Sequence, residues 1–222
     1  MQAERQPDYP LLYSLQGFNY CDLLLAEAER AAWQIICSGG LRPPEESVAH
    51  RATLQAVSLR TARTLKWAEK NSVDILSAAL HHLTLGRVAL CEAIMAESEV
   101  RSAKSEVERA VDGLRRAGQQ LFLPCGLLTR AWLRFFTGAR TGPGSAREDL
   151  DEAWETAKRG PMKLFLTDIH LHRARLFFRE KEYPKEWISP QADLAAAEKL
   201  IKECGYHRRD QELADAKKAI LG

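Results

Sequence analysis

The stretches "LLTRAWLRFF", from Leu127 to Phe136, and "HLHRARLFF", from His170 to Phe178, decide the fold because the second repeats the first. Residues 128–131 align with residues 171–174 at a shift of 43, and matches at the same shift also lie outside these stretches. Self-similarity at a fixed spacing of roughly 20 to 50 residues indicates a solenoid, in which each unit buries its apolar face by stacking on its neighbours.

Further copies extend the repeat in both directions. Upstream, "HLTLGRVAL" places Gly86 opposite Ala131 at a shift of 45. Downstream, "ADLAAAEKLIKECG" follows "REDLDEAWETAKRG" at a shift of 44. The segments "LLYSLQGFNYCDLLLAEAERAAWQII" and "ESVAHRATLQAVSLRTARTLKWAEKN" complete the series as a first helix and its partner.

Each unit is typical of two helices. The first helix carries apolar residues at spacings of three and four, which places them along one face. The second is rich in Ala and Glu, and in one copy Ser145 precedes Glu148 by three residues, a capping-box pattern. Helix stops are predicted at Gly118, at Gly160 with Pro161, and at Gly205. No strand-like alternation is sustained anywhere.

The sequence therefore predicts an all-α fold, an α–α superhelix or solenoid of about four helix pairs with a C-terminal capping helix. We expect a single repeat domain over residues 1–222. The predicted pairs lie near 9–70, 73–117, 120–159 and 162–204, and the capping helix lies near 207–220.

Composition narrows the functional classes. The chain is 45% apolar and 28% charged, as in soluble globular proteins, and its net charge of +2 is too small for a general nucleic-acid binder. Its five cysteines include no CxxC, so neither a disulfide framework nor a zinc site is indicated. The N-terminal stretch has no signal-peptide pattern, and no apolar window is long enough to span a membrane. We expect a cytoplasmic protein.

The repeated small residues carry a family resemblance. In the first helix a small residue recurs at one place, where it follows Leu85 in the earliest copy, and in the second helix an alanine recurs. These positions are Gly86, Ala131 and Ala174, then Ala110, Ala153 and Ala197. The pattern resembles tetratricopeptide repeats, of which this chain would be a divergent member with longer units.

Four phrases look more specifically like the C-terminal repeat region of bacterial STAND-type signalling NTPases and related multidomain proteins. They are "LYSLQGFNYCDLLL", "AVDGLRRAGQQ", "LDEAWETAKRGPMKLFLTDIHLHRARL" and "LIKECGYHRRDQEL". That resemblance implies a ligand- or partner-sensing arm, with ATP binding and effector chemistry in other domains.

The sequence lacks the common motifs of catalysis and of phosphate binding. No GxxxxGK[ST], GxSxG, HExxH or GxGxxG occurs, and the glycine-rich "TGPGSARE" lacks the phosphate-binding lysine. We therefore predict that the chain is not an enzyme and takes no cofactor.

The histidines raise the question of a metal site. His170 and His172 lie about 200° apart on a helix and cannot bind one ion, whereas Asp168 and His172 share a face. The alternative, which we favour, is that His172 occupies the place held by Thr129 and Thr84. We predict no metal. For His81 and His82 we expect one ring at a helix interface and the other in solvent.

A candidate binding row follows from the same alignment. Arg87, Trp132 and Arg175 come directly after the three small residues, with Asp168 and Arg179 at the edges of the row. In tetratricopeptide arrays this position usually faces the concave groove, so the resemblance implies binding of an acidic or hydrophobic peptide through ion pairs and cation–π contacts. The alternative is a solvated surface row. The basic "YHRRD", residues 206–210, indicates either contact with an acidic partner or a phosphate, or a solvated cap of the terminal helix, which we favour.

The sequence thus predicts a non-catalytic protein or peptide recognition module, a sensor or scaffold of a bacterial signalling or defence system. Two alternatives remain open: a homo-oligomerisation module, and a small-molecule-responsive regulator or enzyme with a pocket between helix pairs.

Overall fold

The computed structural model describes residues 11–39, 47–70, 74–96 and 99–222, and this part of the chain consists of helices and connecting loops without any strand. The all-α class is therefore confirmed. Within the described ranges the α-helices are α1 Ser14–Ser38, α2 Ser47–Lys70, α3 Ile75–Ala96, α4 Arg101–Arg116, α5 Leu123–Phe136, α6 Ala146–Arg159, α7 Lys163–Phe177, α8 Pro190–Cys204 and α9 Asp210–Leu221. Short 3₁₀ segments precede α8 and α9.

Chain contacts divide the protein into two compact units. The first unit comprises Met1–Ala32 and Arg42–Gln119, and the second comprises Trp33–Leu41 and Gln120–Gly222. Helix α1 contributes residues to both. A single repeat domain over the whole chain stays a prediction. Positions 9, 10, 40–46 and 73 of the predicted pairs, and 97–98 between α3 and α4, lie outside the described residues.

In the first unit, a glycine sets the distance between α3 and α4. A Cβ atom added at Gly86 would lie 2.6 Å from the Val107 Cγ2 atom, well inside a normal contact distance. On the same helix pair, a Cβ at Gly113 would lie 2.7 Å from the Ala79 Cβ atom. The small residue recognised in the sequence is thus required by close helix packing.

In the second unit, α7, α8 and α9 share an apolar cluster. Ala174 and Ala197, two of the repeated small residues, are fully buried in it. The cluster consists of Leu171, Ala174, Leu194, Ala197, Ile201, Leu213 and Ala216. Because α9 supplies the last two members, it covers an apolar face that α7 and α8 would otherwise expose.

Local capping signals have the predicted effect. The Ser145 hydroxyl accepts a hydrogen bond from the Glu148 backbone N–H, as a capping box requires, and the Glu148 carboxylate accepts one from the Gly144 N–H. At the end of α8, Gly205 has a left-handed backbone with φ of 65°, which glycine adopts without steric cost.

In each of three successive helix pairs, a basic side chain of the first helix contacts a carboxylate of the second. The pairs are His82 with Glu106 at 2.7 Å, Arg130 with Asp149 at 2.7 Å, and His170 with Asp193 at 2.5 Å. The three carboxylates occupy matching places at shifts of 43 and 44, and His82 and His170 also match. The expectation that one of His81 and His82 lies in solvent is wrong, because the His82 side chain is only 13% exposed beside Glu106 and His81 is buried.

Within the described ranges, every helix is too short or too polar to cross a lipid bilayer.

Candidate functional site

Arg87 of the predicted row is held inside the first unit by α1. Its guanidinium donates to the Glu29 carboxylate at 2.6 and 2.8 Å and to the Asp22 carboxylate at 2.7 Å. Burial alone would lower the pKa of Arg87, but the two carboxylates raise it well above its ordinary value. The side chain is 12% exposed and joins α3 to α1.

Trp132 lies in an aromatic stack of the second unit. Its ring stacks on Trp33 with the centroids 4.0 Å apart, and the His172 ring meets the edge of Trp33 at 4.9 Å. The Arg175 guanidinium lies 4.9 Å from the Trp33 ring centroid. Trp132 is only 4% exposed, and its indole N–H is buried without a hydrogen-bond partner among the described residues.

Arg175 and Asp168 belong to a buried charge network, which we call the α7–α9 network. Arg175 donates to Glu212 at 2.8 Å, and Glu212 also accepts from Arg209. Arg209 in turn donates to the Asp168 carboxylate at 2.8 and 3.2 Å. Tyr206 donates its hydroxyl to the same carboxylate at 3.3 Å. The network therefore connects α7 to α9 and the short segment before it.

In this network, burial and ion pairing shift the pKa values of the carboxyl groups in opposite directions. Burial raises the pKa of Asp168 more than the neighbouring Arg209 lowers it. Burial would also raise the pKa of Glu212, but Arg175 and Arg209 together lower it to about 2. Burial, followed by the positive charge of Arg175, lowers the pKa of His172 to about 3. At neutral pH the imidazole of His172 is therefore uncharged.

Asp168 and His172 do not aim their side chains at a common point. The Asp168 carboxylate is used by Arg209 and Tyr206, whereas His172 Nδ1 lies 2.7 Å from the Asp168 backbone carbonyl. The same contact to the carbonyl four residues earlier is made by the hydroxyls of Thr84 and Thr129, each at 3.0 Å. His172 thus does take the place of these threonines. Among the described residues, no group of three or more His, Cys, Asp or Glu side chains could hold a metal ion.

Arg179, the last member of the predicted row, binds the backbone at the C-terminal end of α1. It donates to the Cys37 carbonyl at 2.6 Å, and its guanidinium lies 5.0 Å from the centroid of the Phe178 ring. A Cβ atom at Gly39 would lie 2.6 Å from the Arg179 Nη1 atom, so the glycine makes room for this contact.

The structure thus brings part of the row together and gives every member an internal partner. Trp132, Arg175 and Asp168 belong to connected contacts in the second unit, and Arg87 has its own carboxylates in the first. Side chains that are 3–6% exposed, as Trp132, Arg175 and Asp168 are, form neither an open peptide surface nor a solvated row. Partner binding by these residues stays a prediction.

A second cluster in the second unit was not expected from the sequence. The Arg173 guanidinium lies between Trp154 and Trp187, 4.5 and 4.6 Å from their ring centroids. Asp193, 2% exposed, accepts from Tyr183 and lies against His170. Trp187 ends the 3₁₀ segment between α7 and α8, and the sequence alignment of the helix pairs gives no signal for it.

Polar and apolar residues of the first unit line a small, partly open pocket of about 10 Å³, roughly the room that one water molecule needs. His81 and Thr84 line it from α3, and Cys21, Thr61 and Thr64 line it from α1 and α2. This pocket is too small for a metabolite.

The residues that sequence reasoning missed are the partners of the row. Asp22, Glu29 and Trp33 lie in α1, and Arg209 and Glu212 lie near the C-terminus. The basic "YHRRD" segment was the one available signal, since it places cations where the helix dipole of α9 disfavours them.

Comparison with known proteins finds no matching family model, no matching curated protein and no matching solved structure.

Proposed function

We propose that this chain is a non-catalytic protein or peptide recognition module, built as a tetratricopeptide-like α–α superhelix. The observation that carries the proposal is the recurrence of a contact between a basic side chain and a carboxylate in three helix pairs, namely His82–Glu106, Arg130–Asp149 and His170–Asp193, with the three carboxylates at matching positions. A stack of such units has a small core and a large, extended surface. Extended surfaces of this kind commonly bind other proteins.

A second recurrence supports the same proposal. Thr84, Thr129 and His172 each bond the carbonyl one turn earlier, and the small residues Gly86, Ala131 and Ala174 are all buried. Contacts that repeat with the sequence are expected when each unit packs on its neighbours in the same manner.

The resemblance to bacterial STAND-type proteins guides the proposed setting, a sensor or scaffold in a cytoplasmic signalling or defence system. The five cysteines are all free, as a reducing compartment requires. The partner we propose is a protein or peptide segment with acidic and hydrophobic residues.

The internal contacts change the role proposed for the row. A partner that displaced Glu29 from Arg87 would leave a largely buried carboxylate without its cation, which costs about 3–5 kcal/mol. A partner that displaced Glu212 from Arg175 would leave Glu212 with Arg209 alone. We therefore assign Arg87, Trp132 and Arg175 to positioning the helices, and recognition to exposed side chains.

The experiment is selection from a peptide-display library on the full chain, followed by calorimetry with the selected peptides and light scattering of the free protein. We expect acidic, apolar peptides that bind one per chain. If no peptide binds and the protein forms a stoichiometric oligomer, the oligomerisation alternative replaces recognition. Steady hydrolysis of a nucleotide or ester substrate by the purified chain would overturn the non-catalytic assignment.

A further inference from the structure

The outward sides of α1 and α2 in the first unit form an exposed apolar and basic surface. Leu23 of α1 is 64% exposed and Leu59 of α2 is 66% exposed, and further exposed side chains lie beside them on both helices. We call this surface the α1–α2 face and define it by Tyr20, Leu23, Leu24, Ala52, Ala56, Leu59, Arg63 and Lys66.

Contacts between the two helices fix where their outward sides meet. The Arg60 guanidinium lies over the Tyr20 ring, 4.6 Å from its centroid, and donates to the Leu12 carbonyl at 3.0 Å. Behind this pair, the Cys21 sulfur lies 3.7 Å from the Thr61 hydroxyl. Leu24, one turn beyond Tyr20, therefore lies on the side of α1 that adjoins α2.

On α2 the exposed residues follow one helical stripe. Ala52, Ala56, Leu59, Arg63 and Lys66 recur at spacings of four and three, and all are exposed. The stripe is about 21 Å long. Its two alanines leave room for another helix to approach closely, and Leu59 offers that helix an apolar contact.

The charges on this stripe favour an acidic partner. Arg63 and Lys66 form no ion pair with any described residue, and neither does Arg51 at the edge of the stripe. Arg87 in the same unit, by contrast, is held by two carboxylates. On α1, the exposed side chain one turn beyond Leu23 is the acidic Glu27. The positive charge of the α1–α2 face therefore lies on α2. Acidic residues of a partner would meet Arg63 and Lys66 without displacing any internal pair.

We propose that the α1–α2 face binds an acidic amphipathic helix of a partner protein, an inference that rests on the proposed recognition function and specifies its surface. Apolar residues of the bound helix lie along Ala52, Ala56 and Leu59, and its carboxylates pair with Arg63 and Lys66. A membrane surface fits less well, because α2 offers one large exposed apolar side chain along this stripe. Single-stranded nucleic acid also fits less well, because Arg60 covers the Tyr20 ring on which a base would stack.

The test uses the full chain and a synthetic Glu/Leu amphipathic peptide of about 16 residues, long enough to cover the stripe as a helix. The variants are Leu59→Ala and the double change Arg63→Glu with Lys66→Glu. Lys104→Glu, which changes an exposed cation on α4 of the same unit, is the matched control. Circular dichroism and melting temperature establish that each variant is folded.

We expect each face variant to weaken the peptide at least about tenfold, and the double variant to reduce the salt dependence of binding. Lys104→Glu should bind as the parent does. A peptide in which every Glu is replaced by Gln should bind more weakly than the Glu/Leu peptide.

Four results would overturn the proposal. One is unchanged affinity in the face variants, and another is equal loss in the Lys104 control. The third is stronger binding of anionic phospholipid vesicles or of an RNA oligonucleotide than of the peptide, abolished by the same variants. The fourth is absence of binding by the Glu/Leu peptide although library-selected peptides bind, and in that case recognition stands and only its surface is wrong. Failure of all peptides, selected and designed, removes the proposed function itself.

Discussion

At the scale of single residues, Ile188 combines a strained backbone with an exposed apolar side chain. Its φ of 71° and ψ of −74° place it in a tight turn, in which the Ser189 N–H donates to the Trp187 carbonyl at 3.0 Å. A β-branched residue is strongly disfavoured at positive φ. The side chain is 79% exposed, so the free energy gained by burying it offsets little of this strain.

We therefore expect Ile188→Gly to stabilise the protein, raising the free energy of unfolding by about 1 kcal/mol after the greater entropy of glycine in the unfolded chain is subtracted. Thermal and urea denaturation measure the change. Ile188→Val keeps the branched side chain and should leave the melting temperature as in the parent. A lower melting temperature in the glycine variant would show that the turn is not strained.

His172 makes stability depend on pH. Its pKa is lowered from 6.5 to about 3 by burial and then by Arg175, and Arg209 and Glu212 also face it. As pH falls from 6.5 toward 3, the unfolded chain takes up a proton on this ring before the folded chain does. The free energy of unfolding therefore decreases over this window and is restored as pH rises.

His172→Thr tests this dependence, because threonine stands at the matching positions and can keep the contact to the Asp168 carbonyl. Between about pH 7 and pH 4 the parent should lose on the order of 2–3 kcal/mol more stability than the variant, as measured by urea denaturation. Thr129→Ser changes the matching residue of α5 without altering a titrating group, and it should follow the parent. Identical pH profiles for His172→Thr and the parent would contradict the assignment.

At the scale of helices, α9 is held by charge as well as by apolar packing. Leu213 and Ala216 are buried, and Glu212 joins Arg175 of α7 to Arg209 ahead of α9. Further contacts run from Asp215 to Gln34 at 3.0 Å and from Lys217 to Glu198 at 2.8 Å. The pairs involving Glu212 are the most buried of these, so they should dominate the electrostatic part of docking.

Glu212→Gln should therefore loosen α9 while the rest of the second unit stays folded. The change leaves Arg175 and Arg209 with a neutral acceptor, and we expect amide hydrogen exchange in residues 210–221 to accelerate at least about tenfold. Glu203→Gln removes a half-exposed pair with Lys163 and serves as the control, with exchange as in the parent. Equal exchange in both variants would show that apolar packing alone holds α9.

The helices were predictable where the signal is local. The caps at Ser145 and Gly205 act within a few residues, and the small residue at Gly86 follows from the repeat. The row was not predictable as a site, because its partners are distant in sequence. Arg87 meets Glu29 across 58 residues and Arg175 meets Glu212 across 37, and periodicity cannot select such pairs.

At the scale of the whole molecule, the division into units cuts through a continuous helix. Residues up to Ala32 belong to the first unit, and Trp33 begins the part of α1 that belongs to the second. Trp33 there contacts Trp132, His172 and Arg175. A helix near the start of the chain thus supplies an aromatic side chain to the core of the C-terminal unit.

Trp33→Ala should consequently weaken the second unit far more than the first. Removing this ring leaves a cavity beside Trp132 and exposes Arg175, and losses for buried Trp→Ala are about 3–5 kcal/mol. We expect hydrogen exchange to accelerate in α5 and α7, with little change in α3 and α4, and the fluorescence of Trp132 to shift to longer wavelength. Tyr20→Ala, which alters an exposed ring of the same helix within the first unit, should leave α5 and α7 unchanged. If hydrogen exchange in Trp33→Ala accelerates equally in α3, α4, α5 and α7, the two units unfold in one cooperative transition. Only a shared transition transmits the loss of a contact in one unit to the helices of the other.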